Sequence, residues 1–332
     1  MRVGKRVFFV LSLLLYTMFI LCTNAQAYKN IYVTNASNNT VSVIDTSTKE
    51  VIMTLRVGVW PSGITIDPVS KRAYIANSSR GDSSVSVIDL ESNSTIAKIK
   101  VGTGPMHISI DPETNLAYVT NSEDKGHTVS IIDLKKNEET GRIKVEREPF
   151  QIAIDTAHRK AYCVNSGDGS VSVINLKNNR VIKKIPVGRI PLGIALSARL
   201  NKAYVANHDD DTISIIDTTK DSVLKTVKVG KNPWYIGIDD IHERVYVTNR
   251  GDNTVTVINA TTDEVLKSIR VGDQPLGILV DPETKKIYVA NHKGLSVSII
   301  DAESYRVIDT IKLSLTGMDS SYIGSPWGIA GL

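Results

Sequence analysis

A Tyr-x-x-Asn tetrapeptide recurs seven times beyond residue 28, with its asparagine at Asn35, Asn77, Asn121, Asn165, Asn207, Asn249 and Asn291. Successive asparagines are 42, 44, 44, 42, 42 and 42 residues apart. So regular a period fixes the architecture before any local motif is read, because each repeat is one supersecondary unit that buries its apolar face against its neighbours. Two further landmarks keep step with it. A Val-Ser-Val-Ile-Asp run or close variant ends at Asp45, Asp89, Asp133, Asn175, Asp217, Asn259 and Asp301, and a Pro-x-Gly-Ile-x-Ile-Asp run or variant starts at Pro61, Pro105, Pro149, Pro191, Pro233, Pro275 and Pro326.

Each unit holds four short apolar runs separated by turn residues, without helical periodicity, which reads as four strands. In one unit the expected strands are 63–66, 73–76, 85–88 and 95–101, with Asp67-Pro68 starting the first reversal. The first three are apolar on both faces, as in a sheet covered on both sides. The fourth alternates Ala97, Ile99 and Val101 with Lys98 and Lys100, and lysine on an outermost strand discourages edge pairing. Seven units of about 42 residues with four strands each predict an all-β chain, a seven-bladed β-propeller. The chain opens on a Tyr-x-x-Asn strand and finishes on Ser325-Pro326-Trp327-Gly328-Ile329-Ala330-Gly331-Leu332, an unpaired first strand. The C-terminal strand is therefore expected to complete the blade begun by Tyr32–Asn35 and close the ring.

Three of the seven copies, Tyr32-Val33-Thr34-Asn35, Tyr118-Val119-Thr120-Asn121 and Tyr246-Val247-Thr248-Asn249, spell the tetrapeptide that names the YVTN β-propeller repeat family. The other four differ by one or two residues, as in Tyr162-Cys163-Val164-Asn165. The chain resembles that family over essentially all of 28–332. The resemblance implies an extracytoplasmic protein of the exported or surface-layer-associated kind, with a binding or structural role and no family-wide catalytic residues. By fold alone the chain is also similar to propellers of some lactonases, lyases and haem or copper redox enzymes, a likeness that assigns no activity.

The first 27 residues read as a secretory signal peptide. Arg2, Lys5 and Arg6 precede the apolar run Val7–Leu21 and the small residues of Ala25-Gln26-Ala27. Cleavage is expected between Ala27 and Tyr28, leaving a propeller domain of 28–332. The alternative is a retained anchor, although a run of about 15 apolar residues is shorter than the roughly 20 of a spanning helix. The protein is thus expected outside the cytoplasm: extracellular, at the cell surface or periplasmic.

Charge narrows the partners. Lys plus Arg number 39 against 35 Asp plus Glu, and without Arg2, Lys5 and Arg6 the balance falls to 36 against 35. A near-neutral chain lacks the basic footprint of a nucleic-acid binder. The two cysteines, Cys22 and Cys163, make no disulfide scaffold, and Cys163, inside a strand, reads as a buried apolar residue.

Catalytic and cofactor motifs are missing from the sequence. It contains no Gly-x-Ser-x-Gly, His-Glu-x-x-His, Cys-x-x-Cys-His or phosphate-binding glycine loop. The six histidines fall in different copies without zinc-ligand spacing, so neither cofactor nor metal is expected. Asp209-Asp210-Asp211 and the two Arg-Gly-Asp tripeptides, Arg80-Gly81-Asp82 and Arg250-Gly251-Asp252, read as polar turns. Glycosylation sequons at Asn35 and Asn77 end repeat strands, which makes their use doubtful.

The repeat varies in length only between the Tyr-x-x-Asn asparagine and the next strand end, and between Asp301 and Pro326. Both places fall on one face of the disc, where insertions in repeat proteins collect with function. Side chains also vary there. The residues after the asparagine are Ala36, Ser78, Ser122, Ser166, His208, Arg250 and His292, and those after the proline are Ser62, Met106, Phe150, Leu192, Trp234, Leu276 and Trp327. His107 and Tyr235 replace the neighbouring glycine. The candidate binding residues are therefore His107, His208, Trp234, Tyr235, Arg250, His292 and Trp327, a mixture of rings and polar groups suited to a protein or surface polysaccharide. Simple packing between inner strands is the other reading of the aromatics. The leading expectation is a non-catalytic binding or structural propeller. The rival is a lactonase-like hydrolase or lyase with its site at the channel mouth.

Overall fold

The computed structural model describes residues 27–123, 125, 127–313 and 325–332; residues 1–26 of the expected signal peptide and the middle of the long Asp301–Pro326 connection lie outside the described residues. The chain forms seven antiparallel four-stranded sheets. One blade runs Pro61–Asp67, Arg72–Asn77, Ser84–Asp89 and Ser94–Lys100, each strand paired with the next. Strands extend past the apolar runs because polar ends such as Asp67 and Arg72 still pair across the ladder.

The expected closure is present. Pro326–Gly331 lies antiparallel to Asn30–Asn35, with Ile31 opposite Gly331, Tyr32 opposite Ala330 and Val33 opposite Ile329. It thereby becomes the innermost strand of the blade that continues through Thr40–Asp45 and Glu50–Arg56. The seven innermost strands, Pro61–Asp67, Pro105–Asp111, Pro149–Asp155, Pro191–Ser197, Pro233–Asp239, Pro275–Asp281 and Pro326–Gly331, touch in a closed circle around the axis.

Three positions of the tetrapeptide have separate physical tasks. The seven tyrosines are the largest buried side chains, and each wedges between its blade and the next, as Tyr74 does against Ile108, Ala117 and Val119. Three of the hydroxyls bond to the following blade: Tyr118 Oη donates to Asn179 Oδ1 at 3.1 Å, Tyr162 Oη to Asp221 Oδ1 at 2.6 Å and Tyr204 Oη to Ala260 O at 3.1 Å, while those of Tyr74 and Tyr246 are buried without a partner. The asparagine is buried and ties the second strand to the third, Asn77 Nδ2 donating to Ser84 Oγ at 2.8 Å and Ser86 Oγ at 3.0 Å. In five blades it also underlies a glycine of the connection entering its blade, as where a Cβ on Gly188 would sit 2.5 Å from Asn207 Cγ; Glu146 takes the equivalent place in the blade of Asn165. The threonine of the three full copies bridges blades. Thr248 Oγ1 accepts the Tyr235 N–H at 2.9 Å and donates to Leu276 O at 2.8 Å on the next inner strand.

Turns are built from carboxylates that accept backbone N–H groups, as Asp45 Oδ1 does from Ser47 at 2.8 Å and Thr48 at 2.9 Å. Outermost strands carry a register shift in all seven blades, which twists the exposed edge away from pairing partners. Lysine does not cover that edge alone, since Ile52, Ile96, Ile182, Leu224 and Ile308 are exposed on it. Cys163 is fully buried, and burial pushes its thiol pKa up, which makes it an inert core residue. Asn35 and Asn77 are also buried, out of reach of a glycosylating enzyme.

Candidate functional site

Inner strands begin at the face that carries the second-to-third-strand loops and the blade-to-blade connections. Residues just after the strand prolines therefore ring the mouth of the axial channel, and those at the next position lie one step deeper.

At the mouth, Trp234 is the hub. Its ring meets Phe150 at 6.0 Å between centroids, His208 at 5.4 Å and Trp327 at 5.8 Å, each edge to face. Phe150, Trp234 and Trp327 belong to inner strands that are not neighbours, so these contacts cross the axis and roof the channel. His292 stands edge-on to Trp327 at 5.7 Å, and the Arg250 guanidinium lies 5.1 Å from the Trp234 centroid, a cation–π contact.

Loop chemistry holds the polar members in place. His208 opens a 3-10 turn, His208–Asp210, that ends at Asp211 with φ +54°. Its Nδ1 is 2.7 Å from Asp209 Oδ1, and Asn232 Nδ2 donates to its carbonyl at 3.3 Å. Arg250 donates from one terminal nitrogen to Gln274 Oε1 at 3.2 Å, and His292 Nδ1 donates to Pro326 O at 3.3 Å. Burial lowers the His292 pKa, and Arg250 and Lys293 lower it further against the Pro326 hydrogen bond. Four buried nitrogens of this group lack a well-formed hydrogen bond: the donors Trp234 Nε1, Arg250 Nε and Trp327 Nε1, the last of which faces the Tyr235 hydroxyl, and His208 Nε2, the acceptor side of a neutral ring whose Nδ1–H donates to Asp209. Unpaired buried donors cost about 1–3 kcal/mol each. With three such donors, at Trp234, Trp327 and Arg250, the ring basket is built to receive acceptor atoms.

One step deeper lies a ring of close approach. A Cβ on Gly63 would be 2.9 Å from His107 Cα, and one on Gly193 would be 2.9 Å from Tyr235 Cα, so adjacent inner strands leave no room for a side chain at those points. Three of the seven equivalent positions nevertheless carry one: His107, Gln151 and Tyr235. The His107 and Tyr235 rings are 6.5 Å apart. Gln151 Nε2 is 3.1 Å from His107 Nε2, while its Oε1 accepts the Ile194 N–H at 2.7 Å. Burial pushes the His107 pKa down to about 4 and the Tyr235 phenol upward.

The structure thus divides the seven candidates. His208, Trp234, Arg250, His292 and Trp327 come together at the mouth, and His107 and Tyr235 lie one step deeper, with the Tyr235 hydroxyl facing Trp327. Phe150, Gln151 and Gln274 complete these groups and were not among the candidates; Gln151 carried a signal, since it occupies the same glycine position as His107 and Tyr235. The polar turns have structural tasks. Asp82 takes the Val59 N–H at 2.6 Å and pairs with Lys98 at 2.8 Å, Asp252 takes the Lys231 N–H at 2.7 Å, and Asp210 takes the Arg189 N–H at 2.7 Å. Among the described residues no group of three or more His, Cys, Asp or Glu side chains is arranged to hold a metal ion.

Fold and mouth together define a seven-bladed β-propeller with an aromatic, donor-rich channel entrance. No family model and no curated protein matches the chain. Among solved structures it is similar to hydrazine synthase from Kuenenia stuttgartiensis, with TM-score 0.74, 20% identity and coverage of 83% of this chain and 93% of that one. It is also similar to a functionally unknown protein from Desulfotomaculum acetoxidans, with TM-score 0.77, 16% identity and coverage of 91% and 98%. A third likeness is to the dihydro-heme d1 dehydrogenase NirN, at TM-score 0.65, 13% identity and coverage of 88% and 65%. Identities this low establish the fold and nothing finer.

Proposed function

We propose that this chain is an exported, non-catalytic propeller of the YVTN repeat type that holds an acidic polymer of the cell surface at its channel mouth. The observation that carries the reading is the cluster of three buried N–H donors, Trp234 Nε1, Trp327 Nε1 and Arg250 Nε, set among Phe150 and the His208 and His292 rings. Aromatic rings supply faces and edges for sugar rings, and the Arg250 guanidinium and indole N–H groups supply charge-assisted and neutral bonds to carboxylate oxygens. The basic start, apolar run and Ala25-Gln26-Ala27 of the first 27 residues support export, and the sevenfold tetrapeptide supports the YVTN assignment.

The hydrolase or lyase reading has less support. In the deeper group the His107 Nε2 lone pair, which a general base would use, is taken by the Gln151 amide.

The test is affinity electrophoresis of the mature protein through gels containing alginate, an acidic polysaccharide, or neutral dextran. Alginate should retard the wild type and dextran should not. Replacing His208, Arg250 and His292 together by serine should abolish the retardation and lower stability by only about 1–3 kcal/mol, the worth of their ring and cation–π contacts with Trp234 and Trp327, so that the variant stays folded by circular dichroism. Retention by dextran equal to that by alginate, or an unaffected triple variant, would refute the assignment. Turnover of a lactone by the wild type, lost in the triple variant, would replace it with the enzyme reading.

A further inference from the structure

Two cavities lie on the channel side of the inner strands, beneath the Trp234–Trp327 roof. One, of about 130 Å³, is bordered by His107, Gln151, Tyr235, three of the close-packed glycines and the isoleucines 64, 236, 278 and 329. The other, of about 480 Å³, runs from His107 and Gln151 to the Asp67–Val69 turn and Pro112, which lie on the face opposite the mouth. Its walls are largely Ile66, Ile110, Ile152, Ile154, Ile194 and Leu196. Thr65 and Ser109 are the hydroxyl residues beside them, and Ser109 already donates to Ile152 O at 2.7 Å. His107 and Gln151 border both spaces and stand where they meet.

The hydrogen bonds at this junction set the state of His107. The Ile194 N–H fixes Gln151 Oε1 as an acceptor, so the amide nitrogen faces His107 Nε2 and donates to it. With Nε2 accepting, the proton of the neutral imidazole is on Nδ1. That Nδ1 is buried and has no partner. A fixed N–H donor at the end of an apolar passage asks for one acceptor oxygen on a hydrocarbon body.

We infer that the channel holds a second binding site, entered from the face opposite the mouth, for a small neutral carbonyl compound whose oxygen accepts from His107 Nδ1–H while its short aliphatic body lies against the isoleucine walls. A carboxylate suits the site poorly, because burial opposes both its charge and the protonation of His107 that would balance it. The site opens on the face opposite the mouth, and it meets the mouth only at the top, where the Tyr235 hydroxyl faces the Trp327 side chain.

The experiment uses mature full-length protein with 15N-labelled histidine, followed by long-range proton–nitrogen spectra at pH 7, with His107 assigned by the signal lost in His107→Phe. The free protein should show His107 as the Nδ1–H tautomer. Cyclopentanone should shift that resonance saturably, and cyclopentane, of similar shape without the acceptor, should not. Gln151→Met, which releases the tautomer, should weaken cyclopentanone about five- to tenfold, the worth of one hydrogen bond. The His208, Arg250 and His292 triple serine variant should bind cyclopentanone as the wild type does, so failure at the mouth and failure here are told apart. An Nε2–H or cationic His107, a response to cyclopentane equal to that to cyclopentanone, tighter binding of cyclopentanecarboxylate, or no saturable shift because the channel takes only water would each overturn the inference.

Discussion

Removing residues 326–332 tests the closure of the ring most directly. Ile329 and Ala330 are 9% exposed and Trp327 is half-buried against Trp234 and His292. Burial of Ile329 is worth about 1.5–3 kcal/mol, and Trp327 contributes a similar amount. The strand also covers Ile31, Tyr32 and Val33, which are 0%, 1% and 0% exposed, and uncovering one side of that trio adds at least about 2 kcal/mol. The Gly328 N–H to Thr34 Oγ1 bond at 2.7 Å and the ladder to Asn30–Asn35 go with it. The loss is thus at least about 5 kcal/mol, against a total stability on the order of 5–15 kcal/mol. Differential scanning calorimetry with size-exclusion chromatography should show aggregation or a transition lowered by more than about 10 °C. A milder version keeps the chain whole: Gly328→Ala places a Cβ 2.6 Å from Ser62 O on the adjoining inner strand, and should cost about 1–3 kcal/mol. A truncated chain that melts with the full-length protein would refute the closure argument, whatever Gly328→Ala does.

His107 binds its proton less readily folded, at about 4, than unfolded, at 6.5. The unfolded chain therefore holds more protons between those values, and stability should fall by about 2–3 kcal/mol as pH drops from 6.5 to 4; urea titrations of His107→Gln should lack that part of the slope. Asp45 and Asp217 are held at about 2 by hydrogen bonds from turn residues, so their contribution persists to lower pH and is lost only as pH falls from 3.8 toward 2. Ile190 is a β-branched residue at φ +44° and is 43% exposed; Ile190→Asn, the residue found at the equivalent Asn232, should raise stability by about 0.5–1 kcal/mol in chemical denaturation. Tyr162→Phe removes the donor to Asp221 Oδ1 and Thr218 O, and should cost about 1–3 kcal/mol by the same assay, with Lys160 still pairing Asp221 at 2.7 Å.

The repeat was readable because it is stated seven times. The tyrosine and asparagine recur every 42 or 44 residues and the proline keeps step up to the last blade, so chance matches cancel, and strand number, blade number and the closing strand follow from counting. The chemistry inside the tetrapeptide was less visible. That Asn77 needs hydroxyls at Ser84 and Ser86 is a relation between strands, and the sequence shows those serines only as polar breaks in apolar runs.

The mouth and the deeper pair lie beyond such counting for a physical reason. Departures from the repeat marked His107, His208, Trp234, Tyr235, Arg250, His292 and Trp327 as unusual, since a single repeat suffices to show a substitution. Which of them meet depends on ring closure, which brings Phe150, Trp234 and Trp327 to one axis across intervening blades and sets the edge-to-face geometry by strand tilt and twist. Gln151 shows the limit most plainly: a carboxamide at a glycine position says nothing until the Ile194 N–H fixes its oxygen and leaves its nitrogen facing His107. Sequence alone determined the period and therefore the fold, because backbone ladders and buried apolar faces obey local rules; the partners of each ring and each proton were decided by the curvature of the closed disc.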